Sequence, residues 1–304
     1  MSSLLSKFTV GWVVCILSGV LRGQDVQPLQ VSPNELVREA VAREIAPVNQ
    51  PSKPHMFRAC RQTPKGSQTR LYVETRDALA AMLIAINDRP LTAEQQQAET
   101  DHLNWLAGNP EQLRKKHARE KEDTERTLRI VRALPDAFRY TYAGTEACRP
   151  GLGKPGDELV RLDFAPNPAY APPSKTEQVL EGMKGYLLID STARRIAMID
   201  GTLFRDVSFG WGIIGHLDKG GHFRVQLADV GDGTWQITAM SLKITGKILM
   251  FKGISMISDE TFSDFTPVPE NLPFAKAVDL LRNEQEKLAH NHEPDPAAER
   301  KEPQ

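Results

Sequence analysis

The sequence predicts an α+β chain, mainly antiparallel β, in which a meander of about ten strands curls into a half-barrel beneath covering helices. Short runs of strand texture succeed one another from about residue 55 to residue 260. Their joints carry turn chemistry such as Lys219-Gly220-Gly221 and Gly231-Asp232-Gly233. Joints this short leave no room for the crossover helices that a parallel sheet needs. An antiparallel sheet this wide must curl, which gives it an apolar concave side.

The elements follow in order. Lys7 precedes an uncharged apolar run over residues 8–21, and Arg22 returns the chain to polarity, so residues 1–23 read as a secretory signal peptide. That run rises about 21 Å as a helix, short of the roughly 30 Å hydrocarbon core of a bilayer. The expectation is therefore a periplasmic or secreted protein with only transient membrane contact. Whether the leader is cleaved or kept as an anchor stays open. Residues 24–49 hold an N-terminal helix: Ser32 caps it, Pro33 occupies its first turn, and Leu36, Ala40, Val41 and Ile45 recur at helical spacing.

Residues 50–265 form the half-barrel. HMFRACRQ, TRLYVETRD and AAMLIAIND read as its first three strands. A helical hairpin is inserted at 92–134. Thr92 caps its first helix, Gly108-Asn109-Pro110 ends that helix, and the second runs from Glu111 to about Ala133. The stretch RKKHAREKEDTER interleaves acids and bases as a solvated helix face does. FRYTYAG and ELVRLDF resume the sheet, and Pro166 to Pro173 is too rigid and donor-poor to join it. GYLLID, RRIAMIDG, LFRDVSFGWG, HFRVQLAD, TWQITAMSLKI and KILMFKGISMI supply further strands. KILMF is apolar on both faces and reads as a strand covered on both sides. Gly210, Gly212 and Gly215 around Trp211 suit a bend in the sheet. Residues 266–304 comprise a helix after Pro273 and a polar, Pro-rich tail with the composition of a disordered segment.

Charge narrows the function classes. Lys plus Arg number 38 against 39 for Asp plus Glu, so no global field draws nucleic acid. GxSxG, HExxH, GxxxxGK[ST] and a helix-opening GxGxxG are all missing, and no cofactor or metal is expected. His216, Asp218 and His222 flank a turn and are the one set that suggests a metal or hydrolase site. Cys60 and Cys148 form a possible disulfide, worth about 4 kcal/mol in the chain-entropy model; two free thiols are the alternative. No catalytic residue is assigned.

The aromatic and aliphatic strand positions say more. Tyr140, Tyr142, Leu188, Phe209, Phe223, Val225, Trp235 and Ile237 fall where alternation aims them at one concave face. Part of that face is expected to bind a lipid or acyl chain under the helices of residues 92–134 and 273–288.

The order of elements carries a resemblance: an N-terminal helix after a secretory leader, a long antiparallel meander and covering helices. It spans about residues 50–265 and resembles the outer-membrane lipoprotein-sorting (LolA/LolB-like) half-barrel group. The stretch from Phe164 to Leu227 is also similar to uncharacterised secreted bacterial proteins of that kind. The hairpin at 92–134 has no match in the carriers of the group, and the missing lipobox argues against its membrane-anchored receptor form. The resemblance implies a non-enzymatic periplasmic carrier whose concavity holds lipid or an acylated protein tail. One alternative is an envelope module that docks a protein partner through the wet helix at 111–133, and another is a hydrolase using the His/Asp set.

Overall fold

The computed structural model describes residues 31–46, 53–210, 215–231, 233–248 and 252–290. The leader expected at 1–23, the polar tail expected at 291–304, and Trp211 and Gly212 of the expected bend lie outside them.

Helix α1 (Pro33–Ile45) begins as its sequence dictates, with the Ser32 hydroxyl accepting from the Glu35 amide and Pro33 in the first turn. Strands β1 (His55–Thr63), β2 (Gly66–Val73), β3 (Ala80–Ile86) and the two-residue β4 (Arg89–Pro90) form a meander. Two helices follow. In α2 (Ala93–Ala107), Thr92 and Gln95 form a reciprocal capping box; α3 (Pro110–Ala137) is 28 residues long. The chain then lays down β5 (Phe138–Ala147) and β6 (Glu158–Pro166), the short helix α4 (Lys175–Gln178) and a 3-10 turn. Strands β7 (Met183–Asp190), β8 (Ile196–Leu203), β9 (Val207–Phe209), β10 (Gly215–Leu217), β11 (His222–Asp229), β12 (Trp235–Ile248) and β13 (Lys252–Pro267) come next, and α5 (Phe274–His290) closes the series.

All the pairings between strands are antiparallel, and the sheet runs β4-β3-β2-β1-β13-β12-β11-β8-β7-β6-β5, with β10 against β12 and β9. β1 pairs with β13, so the edges are β4 and β5, and these are the strands that α2 and α3 connect. The hairpin is therefore the link between the two open edges. At 28 residues α3 reaches about 42 Å, enough to span the curled sheet.

Each end of this link is fastened by groups that would otherwise lack partners. With β4 so short, β3 and its approach have edge amides to satisfy; Glu99 of α2 accepts from Leu83 N of β3 at 3.1 Å and Glu120 of α3 from Leu79 N, just before β3, at 3.1 Å. At the far end α3 runs past the stop expected at Ala133. Pro135 withholds one donor, but it sits in the last turn, where the final carbonyls find partners outside the helix. Tyr140 Oη donates to Leu134 O at 2.8 Å, Asn34 Nδ2 to Pro135 O at 3.1 Å, Asn167 Nδ2 to Asp136 O at 2.9 Å, and Asn167 N to Ala137 O at 2.9 Å. Tyr140→Phe removes the first of these from a buried carbonyl, so a loss of about 1–2 kcal/mol in urea unfolding is expected.

On one face of β1–β3, a core of Leu71, Val73, Met82, Leu103, Phe274, Val278 and Leu281 packs beneath α2 and α5. A smaller cluster of Leu152, Leu159, Leu188, Ala197 and Met198 sits elsewhere on the sheet. KILMFKGISMI does not lie on one strand: β12 ends at Ile248 and β13 starts at Lys252, and residues 249–251 lie outside the described residues.

Candidate functional site: an apolar cavity beneath the helices

A cavity of about 550 Å³ lies between the concave face of the sheet and α1, α3 and α4. Its floor is Ile196, Ile199 and Leu203 of β8, Phe223, Val225 and Leu227 of β11, and Ile237, Met240 and Ile244 of β12. Strand alternation explains the floor, since 223, 225 and 227 share a face and pair across to β12. Its roof is the last turns of α3, where Leu128, Val131 and Leu134 recur every three residues and put their side chains on one side of the helix. Phe138, Phe164 and Leu180 close one end.

The polar side chains in the lining are few: Glu44, Thr127, Thr176 and His222. Glu44 accepts two 2.7 Å hydrogen bonds from the Arg195 guanidinium and a third, at 3.1 Å, from Ile196 N. The pair is mostly buried, with side chains 13% and 17% exposed, and it fixes α1 to the start of β8. His222 turns its Nε2 to Asp200 at 3.0 Å, and Arg224 reaches the same carboxylate at 2.6 Å. The cavity thus offers a ligand apolar contact and little free polarity. A volume of this size falls within the range of small-molecule sites.

The structure separates the residues expected to share a binding face. Phe223, Val225 and Ile237 line the cavity. Tyr140 is on the same side of the sheet but is packed against Phe138 and Phe164, with its hydroxyl held by Leu134 O. Burial pushes that hydroxyl well above the usual tyrosine range, and Asp136 adds to the shift. Tyr142 pairs with Leu162 farther along β5 and is half-buried; Phe209 is half-buried on β9, opposite Gly215.

Leu188 is on the other face: Leu187 pairs with Ile199 of the cavity floor, and alternation turns Leu188 into the smaller cluster. Trp235 packs against that cluster too, with the Arg195 guanidinium 5.5 Å from its ring centroid. Sequence reasoning did not single out the roof residue Leu134 or the floor residues Ile196, Ile199, Met240 and Ile244. The repeat of Leu128, Val131 and Leu134 at the end of an otherwise polar helix was the available signal for the roof.

The possible disulfide is corrected. Cys60 and Cys148 are both free thiols; Cys60 is on β1, Cys148 follows β5, and six strands intervene in the sheet. Cys148 Sγ lies 3.9 Å from Asp190 Oδ2, and burial together with that carboxylate pushes the thiol up. The His/Asp set divides as well. His216 pairs with Asp218 at 3.1 Å while His222 pairs with Asp200, and among the described residues no group of three or more metal-ligating side chains converges. No helix among them is long and apolar enough to cross a membrane.

No family model matches the chain, and no curated protein does. Among solved structures it is similar to a candidate outer membrane lipoprotein-sorting protein domain from Vibrio parahaemolyticus, with 11% identity over 79% of this chain and 97% of that one and a TM-score of 0.29. It is also similar to a DUF1329 family protein from Desulfovibrio piger ATCC 29098, with 10% identity over 78% and 94% and a TM-score of 0.27. Neither likeness gives any residue here a role.

Proposed function

We propose that this protein is a non-enzymatic carrier or binding protein, periplasmic or secreted, that holds an acyl chain in the cavity beneath α3. A free lipid or the acylated end of a protein would supply that chain. The observation that carries the reading is the lining: about 550 Å³ walled by aliphatic and aromatic side chains, with its lone carboxylate already held by Arg195 and Ile196 N. Burying apolar ligand surface there gains roughly 25 cal/mol for each Å² removed from water. Binding without turnover is the activity proposed.

Displacement of a fluorescent fatty acid from delipidated protein tests this. The wild-type chain is expected to bind the probe, and Val131→Trp, which fills the space under the roof, is expected to weaken binding by about tenfold or more. Absence of probe binding by the folded wild type, or equal binding by folded V131W, would overturn the assignment.

A further inference from the structure

The cavity is one end of a longer track. Paired residues in an antiparallel sheet share a face, so the pairing of Ile244 with Met256 and of Met240 with Glu260 continues the concave side from β12 onto β13. It then passes to Phe262 and Ala59, and on β1 and β2 to Phe57, Tyr72 and Arg70. The rings of Phe57 and Tyr72 stack at 5.1 Å and Phe262 lies 6.2 Å from Phe57, while Met256 is 48% exposed. This strip leads to a second cleft, of about 590 Å³, where the first half of α3 passes the β2–β3 edge.

That cleft is charged. Arg70, Lys115, Lys116 and Arg119 line it, together with Glu99, Glu120 and Asp123. The carboxylates have partners: Glu99 accepts the Leu83 amide of β3 and Glu120 the Leu79 amide just before it, Glu120 also takes Lys116 at 2.6 Å, and Asp123 takes Arg126 at 3.1 Å. Lys115 pairs with Glu111. Among the described residues Arg70 hydrogen-bonds Gln68 alone, at 3.4 Å, and has no ion pair, and Arg119 has neither an ion pair nor a hydrogen-bond partner. Two guanidinium groups, the side chains best suited to bidentate phosphate binding, are left for a ligand.

The geometry points to an amphiphile with a phosphate-bearing head in the Arg70–Arg119 cleft and its acyl chain along the concave strip into the cavity. From Arg119 to Leu128 the helix rises about 14 Å, and from β2 to β12 the three strand spacings amount to about 14 Å. A long acyl chain covers that distance. The inference rests on the carrier reading and adds the class of head group to it.

Binding of 1-palmitoyl-lysophosphatidic acid, 1-palmitoylglycerol and glycerol 3-phosphate to the full chain tests it by separating head from tail. The lysophosphatidic acid is expected to bind about tenfold or more tighter than palmitoylglycerol. An R70Q/R119Q double variant is expected to erase that preference while binding palmitoylglycerol within about twofold of wild type. An unchanged urea midpoint in the variant would show that the fold is kept. Equal wild-type affinity for the two lipids, or a preference that survives in R70Q/R119Q, would overturn the head-group site alone. Glycerol 3-phosphate binding as tightly as the phospholipid would assign the cleft to a free phosphate and overturn it too. If neither lipid binds, the carrier reading falls and takes this one with it.

Discussion

Gly185→Ala is expected to destabilise the protein by about 3 kcal/mol or more, while Gly201→Ala, at the position paired with it, changes stability by less than about 1 kcal/mol. Both glycines lie where β7 and β8 pair, with Gly185 opposite Gly201. A Cβ on Gly185 would collide with the Asp200 carbonyl and the Gly201 Cα, which are backbone atoms of the next strand and have nowhere to go. On Gly201 the obstacle is the terminal methyl of Met183, the free end of a flexible side chain. The contrast isolates close backbone approach from loss of glycine in general. Urea unfolding of the two variants beside wild type measures it, and equal losses would show that the approach of the strands at Gly185 is not what the fold depends on.

Glu44→Ala should cost about 3 kcal/mol, because it leaves the Arg195 guanidinium, 17% exposed, without its anion and Ile196 N without an acceptor. For a chain of this size, that is a fall in Tm of about 5 °C. Arg195→Ala removes the same pair from the other side but leaves Glu44 its amide donor, so its cost is expected to be smaller. A double-mutant cycle over E44A, R195A and the combined variant gives the coupling, expected at about 1.5–3 kcal/mol. A coupling near zero would mean that α1 is held to the sheet by its apolar face, Leu36, Val37, Ala40 and Val41, and not by the ion pair.

Local rules carried the sequence reading a long way. Ser32-Pro33 and Thr92 start helices where capping chemistry says they should, and strand texture located β1, β2, β3, β5, β6, β7, β8, β11 and β12. What was not legible depends on register and topology. Leu187-Leu188-Ile189 is apolar throughout, so alternation alone has no means of choosing which side chain faces the cavity; pairing with β8 decides it. The pairing of β1 with β13 is an encounter between residues some two hundred positions apart, and no local pattern encodes it. Pro135 looked like a helix stop because the donors that satisfy the end of α3 come from Asn34, Tyr140 and Asn167, far from it in sequence or beyond the break. The polar run of β13, ISDETFSDFTP, was missed because one of its faces is largely open to solvent and carries few of the apolar residues that mark a strand.

The seam between β1 and β13 also governs how this chain can be assembled in time. Strands β5 to β8 and β11 to β13 can zip up neighbour by neighbour, each closing only a short loop. Strands β1 to β4 can do the same among themselves. The two halves, however, remain separate until the last strand has emerged, and their union must close a loop of most of the chain. Until that happens β1 and β13 each present an unpaired edge, the form of a β protein most prone to pair with the wrong neighbour. A ribosome therefore cannot release a finished first half, and the interval before β13 arrives is when a chaperone would have something to bind.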